Sequence, residues 1–189
     1  MTASPSSRRG KRPPKPLDSA SLRDLALSYV ARFSTSTAKL EAYLKRKLGE
    51  RGWDGEGQPD PTGLAAQFAD LGYIDDEAYA RMKAGSLLRR GYGARRIEGA
   101  LFRDGIDEDG RQRVAPSGPE ARQAVLALAR KRRFGPFALE RGQELPDRPT
   151  REKQLAALLR AGHPLDFARE MVNAQTVENA EDWAARCED

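Results

Sequence analysis

A helical motif recurs in this chain at a fixed step, and that step limits what the chain can fold into. Lys39, Leu40, Ala42, Leu44 and Arg46 read K-L-x-A-x-L-x-R. The pattern returns 57 residues on as Arg96, Ile97, Gly99, Leu101 and Arg103, and 57 further on as Lys153, Gln154, Ala156, Leu158 and Arg160. A glycine follows the second and third copies at one offset, Gly105 and Gly162. Self-similarity at a fixed period is the signature of repeat architectures, whose units stack and present a long surface to a partner. Such a chain is expected to lie along something rather than to close a catalytic pocket.

The chain has 189 residues, 32% of them charged and only 7% aromatic, so its core must be thin and built from Leu, Ala and Val. That suits small helical units better than a large sandwich. No alternating strand pattern is found, and the fold class expected is all-α: about three tandem three-helix repeats. The boundaries read as a disordered basic tail at 1–20, a repeat at 21–74, two more within 75–175 (75–118 and 119–175 if the helix over 119–133 opens the third), and an acidic C-terminal tail at 176–189. The Pro-, Ser- and Arg-rich tail is either simply solvated or an arm that adds phosphate contacts. The residues alone do not decide whether the helix over 119–133 closes the second repeat or opens the third.

Within the repeats, apolar spacing marks the inward faces. In the first unit these are Leu22, Leu25, Ala26, Tyr29, Val30 and Phe33, then Leu40, Tyr43, Leu44 and Leu48, then Leu64, Phe68 and Leu71. Asp75 caps the next helix, whose apolar side is marked by Tyr79, Met82 and Leu87, and which ends at Gly91-Tyr92-Gly93. The segment 105–118 holds at most a short helix, and 134–149 reads as a loop. Leu155, Leu158, Leu159, Leu165, Ala168, Met171 and Val172 are expected to be buried in the last pair of helices.

Chemistry is sparse. His163, the only histidine, has no nucleophile or orienting acid tied to it by a motif, and its counterpart in the preceding repeat is Ile106, so packing is its expected role. Cys187 stands alone in the acidic tail; one cysteine forms no internal disulfide, and the expectation is a reducing cytoplasm. Asp75, Asp76 and Glu77 crowd one helix start, where the dipole favours acids, rather than converging as a metal cage. Gly91-x-Gly93 follows a helix, not a strand, and reads as a tight turn. No apolar run reaches the roughly 20 residues of a membrane span. The expectation is no catalysis, no metal, no cofactor and no membrane.

The net charge is +5 and the pI near 9.5, with the excess concentrated mid-chain. From Arg81 to Arg103 only Glu98 opposes seven basic residues, and from Arg122 to Arg133 no acid opposes five. Guanidiniums fork onto phosphates and stack on bases, and Tyr92, Phe102 and Phe134 lie nearby as stacking surfaces. The partner-binding residues expected are Arg89, Arg90, Arg95, Arg96, Arg103, Arg130, Lys131, Arg132 and Arg133, and the partner class is nucleic acid or a nucleoprotein. A stand-alone basic helical DNA-binding module is the alternative.

The stretch Leu71-Gly72-Tyr73-Ile74-Asp75-Asp76-Glu77-Ala78-Tyr79-Ala80 resembles the signature of the RecX family of recombinase regulators. Arg89-Arg90-Gly91-Tyr92-Gly93, Arg96-Ile97 and Leu101-Phe102-Arg103-Asp104-Gly105-Ile106 add to it. Leu158-Leu159-Arg160-Ala161-Gly162-His163 is similar to the family's last repeat, where an aromatic is usual in place of His163. The resemblance spans about residues 20–175. It implies an elongated, curved stack of three-helix repeats acting as a monomer. It also implies a partner, the RecA filament on single-stranded and secondarily double-stranded DNA. RecA's ATPase and strand exchange would be restrained, and with them homologous recombination, DNA repair and the SOS response. The helix at 119–133 would then open the third repeat, leaving Asp107–Ala115 as the second repeat's third helix.

Overall fold

The structure is a computed structural model that describes residues 15–138 and 146–186. Residues 1–14 of the basic tail, part of the 134–149 loop, and Cys187 lie outside the described residues. Among the described residues there are ten α-helices, one 3-10 turn and no strand beyond an isolated Leu17–Trp53 bridge. The chain divides into two compact units between Ile74 and Asp75.

In the first unit, α1 (Ser19–Val30), α2 (Thr37–Arg51) and α3 (Pro61–Asp70) enclose Leu17, Leu22, Ala26, Leu40, Leu44, Ala65, Phe68 and Ile74. Each helix starts where a side-chain oxygen can take an orphan backbone N–H: Asp18, Ser36 and Asp60. At α1 this is a reciprocal box, with Ser21 returning a bond to Asp18.

The second unit holds two clusters. The first is built by α4 (Asp76–Arg89), α5 (Ala94–Arg103) and α6 (Glu108–Arg113) around Tyr79, Ala84, Leu87, Ile97, Leu101 and Ile106. The Tyr79 hydroxyl donates to Asp104 Oδ2 at 2.7 Å, and Lys83 Nζ lies 3.3 Å from the same oxygen, tying α4 to the end of α5. Burial first, then the Asp104 carboxylate, push the Tyr79 phenol up to about 12. The second cluster joins α7 (Gly118–Arg132), α8 (Arg148–Arg160), α9 (Leu165–Asn173) and α10 (Val177–Ala185) around Val125, Leu128, Leu158, Met171 and Val172. The 3-10 turn Gly135–Ala138 follows α7.

The repeated leucine is the common anchor: Leu44, Leu101 and Leu158 are each fully buried. The copies differ four residues earlier, where Leu40 and Ile97 give way to a polar group, Gln154. Its Oε1 accepts the Gly135 N–H at 2.8 Å, so this buried amide substitutes for a hydrophobe by capping the turn after α7.

Two helices lack a side-chain cap, α5 after Gly93 and α9 after Pro164. Both emerge from one joint, where the turns Gly91–Gly93 and Gly162–His163 meet backbone to backbone. Gly93 N–H donates to the Ala161 carbonyl at 2.9 Å, and Arg95 N–H to the Gly162 carbonyl at 3.3 Å. The approach leaves no room for a Cβ: one added at Gly93 would fall 2.3 Å from the Gly162 oxygen. Gly162 has φ of 94°, and its own Cβ would fall 2.5 Å from Arg96 N. His163 is fully buried behind the joint, with Nε2 3.0 Å from the Gly91 carbonyl. A carbonyl only accepts, so Nε2 carries the proton and Nδ1 is left unprotonated and without a partner. Burial pushes the imidazole pKa below its usual value, against the opposing pull of the Gly91 bond.

Several expected core positions prove exposed. Phe33 lies past the end of α1, Leu71 caps α3 and Leu165 opens α9, so each sits where an apolar stripe runs out. Met82 misses a stripe that passes instead through Ala80, Ala84 and Leu87, and Leu159 is turned about 100° from Leu158. The acidic segment expected as a tail at 176–189 is helical over Val177–Ala185. Ala180 and Ala184 enter the core and Trp183 meets Phe167 edge-on at 5.2 Å, while the acids Glu178, Glu181 and Asp182 are left exposed.

Leu158→Ala is expected to cost about 2–5 kcal/mol in urea unfolding, against less than about 1 kcal/mol for Leu159→Ala beside it; equal losses would contradict the repeat anchor. Gly93→Ala forces the joint apart and should lower stability by at least about 1–3 kcal/mol, whereas Gly99→Ala, with open space around it, should be neutral or stabilising. Burial disfavours the charged form of His163 in the folded state, while in the unfolded chain it takes up a proton as pH falls below about 6.5. The unfolded state then binds more protons, so stability falls with pH below that point. Urea midpoints from pH 7.5 to 5.0 should therefore drop more steeply for the parent than for His163→Gln, and parallel slopes would refute the assignment.

Candidate nucleic-acid interface

The joint decides which cations become neighbours. It sets the start of α5 against the ends of α7 and α8, and between them lies a cleft of about 260 Å³. Tyr92 and Phe134 supply its aromatic surface, and Arg96, Lys131, Arg132 and Arg160 its charge. No acidic residue lines it among the described residues. Among the described residues none of these four cations is bridged to a carboxylate, whereas Lys45, Arg46, Arg81 and Arg148 on other helix surfaces each pair with a glutamate one turn away. A cleft lined by one sign of charge focuses its field outward and raises the local concentration of anions.

Tyr92 organises the guanidiniums. Arg96 lies 4.6 Å from the ring centroid and Arg90 5.2 Å, so two cations rest on one ring. The position of Arg95 and Arg96 is itself unfavourable for an isolated helix. Both stand in the first turn of α5, where the dipole favours anions, and that turn holds no acid. The chain follows the dipole elsewhere, with Asp76 and Glu77 opening α4, Glu108 and Asp109 opening α6, and Glu120 opening α7. An anionic ligand would relieve this local conflict. At the end of α7 the cations are favoured by the dipole, so their presence there needs no ligand to explain it.

The expected site residues therefore separate. Arg96, Lys131 and Arg132 converge in the cleft, and Arg90 joins them through Tyr92. Arg89, Arg95, Arg103 and Arg133 are exposed but do not line it. Arg133 ends α7 with φ of 54°, the one non-glycine residue with positive φ among those described; its left-handed turn lets Phe134 N–H reach the Ala129 carbonyl at 2.9 Å. Arg130 points elsewhere: it pairs with Glu181 of α10 and lies 5.5 Å over the Phe137 ring. Arg122 is buried and donates to the Arg186 carbonyl, so it holds α10 in place. Arg160 was not among the expected site residues, although it is the third copy of the basic position at Arg46 and Arg103.

The other chemical readings resolve into structure. Asp75 accepts the Ala78 N–H at 2.8 Å as a helix cap, and no cluster of three or more His, Cys, Asp or Glu suited to a metal is found among the described residues. Among the described residues no helix is long and apolar enough to cross a membrane.

Comparison with known proteins agrees with the motifs. The family model for the second three-helix domain of RecX matches residues 75–114, the span of α4, α5 and α6. The regulatory protein RecX of Myxococcus xanthus is 32% identical over 88% of this chain and 91% of its own length. That of Neisseria meningitidis is 28% identical over 86% and 95%. The crystal structure of RecX from Lactobacillus salivarius superposes with a TM-score of 0.60 at 18% identity, covering 81% of this chain and 93% of that one. The all-helical fold, the matched domain and this extent of identity place the chain in the RecX family, whose members are non-enzymatic regulatory proteins that modulate RecA.

Proposed function

We propose that this protein restrains RecA by seating the Tyr92 cleft on the DNA strand of the RecA–DNA filament, as a monomer in the bacterial cytoplasm. The observation that carries this reading is the convergence of Arg96, Lys131, Arg132 and Arg160, none bridged to a carboxylate among the described residues, around Tyr92 and Phe134. Phosphates would take the cations and an unstacked base the rings, a mode that needs no particular sequence. A molecule held in this way would oppose the conformational cycling that accompanies ATP turnover. The 57-residue step supports reading the chain as three units, α1–α3, α4–α6 and α7–α9, with α10 appended. Several units give several contacts per molecule, and linked contacts reinforce one another through effective concentration.

RecA ATP hydrolysis on single-stranded DNA, with this protein titrated in at physiological salt, is expected to fall at protein levels too low to coat the DNA. The double variant Arg96→Glu, Lys131→Glu should require about tenfold more protein for the same inhibition, and its salt dependence should be shallower by about two phosphate contacts. Its helical circular dichroism should match the parent's. Unchanged inhibition would remove the cleft from the mechanism. DNA binding without any effect on ATP hydrolysis would leave a stand-alone DNA-binding module.

A further inference from the structure

The first unit has a groove of its own, lined where α1 ends and along the middle of α2, and its chemistry is used by nothing described so far. It is open, about 610 Å³, and its lining includes Tyr29, Arg32, Phe33, Lys39, Tyr43 and Arg46, with small residues Ser28 and Ala42 between them and no acid. The rings form a graded platform. Tyr29 and Tyr43 stack at 4.2 Å with 19° between their planes, and Phe33 continues the row 5.2 Å from Tyr29, tilted by 49°. Phe33 is 56% exposed, past the helix that would bury it. Arg46 and Lys47 lie 5.5 and 5.9 Å from the Tyr43 ring centroid.

A packing explanation accounts for the Tyr29–Tyr43 pair, which lies against the core of this unit. It does not account for Phe33, whose ring is left in water beside Arg32. An exposed aromatic row edged by cations and free of acids suits a ligand that brings flat π-faces and regular negative charge together, which is the chemistry of an unpaired nucleic-acid strand. Glu50 bridges Arg46 and Lys47 at 2.7 and 2.6 Å at the far end of α2. That pairing is solvent-exposed and therefore weak, so a phosphate can replace it at small cost. The repeat supplies a second argument: Arg46 and Tyr43 stand two 57-residue steps before Arg160 and Ala157, which both line the Tyr92 cleft. The same positions of two units thus face a groove, and in the first unit the aromatic residue stands on the second helix itself.

We propose that the first unit carries a separate site for single-stranded nucleic acid, in which Phe33 and the Tyr29–Tyr43 stack receive bases and Arg32 and Arg46 hold phosphates. The site is distinct from the Tyr92 cleft, and its test is arranged to read it alone. In the full chain carrying Arg96→Glu and Lys131→Glu, binding of a short fluorescent oligo(dT) is compared with that of an abasic oligomer of equal length. Phe33→Ala should weaken oligo(dT) at least about fivefold, the loss of one base stack, and leave the abasic oligomer nearly unchanged. Arg32→Glu should weaken both. Photocrosslinks from an oligonucleotide carrying 5-iododeoxyuridine should map to the peptides holding Phe33 and Tyr43. Because Phe33 is exposed and outside α1, its truncation should leave the helical circular dichroism intact. An oligo(dT) affinity unmoved by Phe33→Ala, crosslinks confined to other peptides, or a loss of binding only to DNA-free RecA would each overturn the assignment.

Discussion

The second unit depends on two turns that touch through their backbones. Apart from α5 and α9, each α-helix among the described residues begins with a side chain that takes up an orphan amide; at α5 the carbonyls of Ala161 and Gly162, which belong to the other turn, accept from the Gly93 and Arg95 N–H groups. The exchange requires that neither turn carry a Cβ at the point of contact. Gly93, whose φ of −81° any residue can adopt, is therefore fixed by space, and Gly162 by both space and its positive φ. His163 closes the back of the joint with one bond to Gly91 and otherwise apolar burial. Fully buried, with its charged form disfavoured, His163 serves as a wedge for packing.

From that joint follows the placement of charge. With α5 held against α7 and α8, Arg96 comes to face Lys131, Arg132 and Arg160 across a narrow cleft, and Tyr92 becomes the surface on which Arg90 and Arg96 rest. Gathering these cations, with Arg96 in a helix turn that prefers acids, opposes folding locally. The fold tolerates it because Leu101 and Leu158 anchor the flanking helices in the core. On the proposed reading, regulation of RecA reduces to geometry: cations and rings set at fixed spacing and presented to a strand.

Much of this was legible in the sequence because helix periodicity and repeat spacing report backbone facts directly. The leucine at 44, 101 and 158 announced the buried face, and Asp75 announced a helix start. What escaped had weak one-dimensional signals. Alanine faces bury little area per residue, so α10 read as an acidic tail although Ala180, Trp183 and Ala184 share one side. Gln154 in a leucine position made sense only once the Gly135 N–H was seen beside it. For the candidate site, linear clustering picked out Arg96, Lys131 and Arg132, which the cleft brings together, and also Arg130, which pairs with Glu181. Arg160 was visible as a repeat position, but its nearness to Arg96 is a product of the joint, which no local pattern encodes. The row Tyr29–Phe33–Tyr43 was read as core because its spacing is that of a buried face; the helix ends before Phe33 arrives.

The central claim is that the filament is met by the cleft that the joint builds. Amide hydrogen exchange of the full chain, free and with RecA filaments on single-stranded DNA, tests it most directly. The account predicts slowed exchange in the peptides holding Arg90–Ile97, Leu128–Phe134 and Ala157–His163, with little change in α10 beyond its contact with α7. Protection confined to α10 or to α6, with those three segments exchanging as in the free protein, would contradict it.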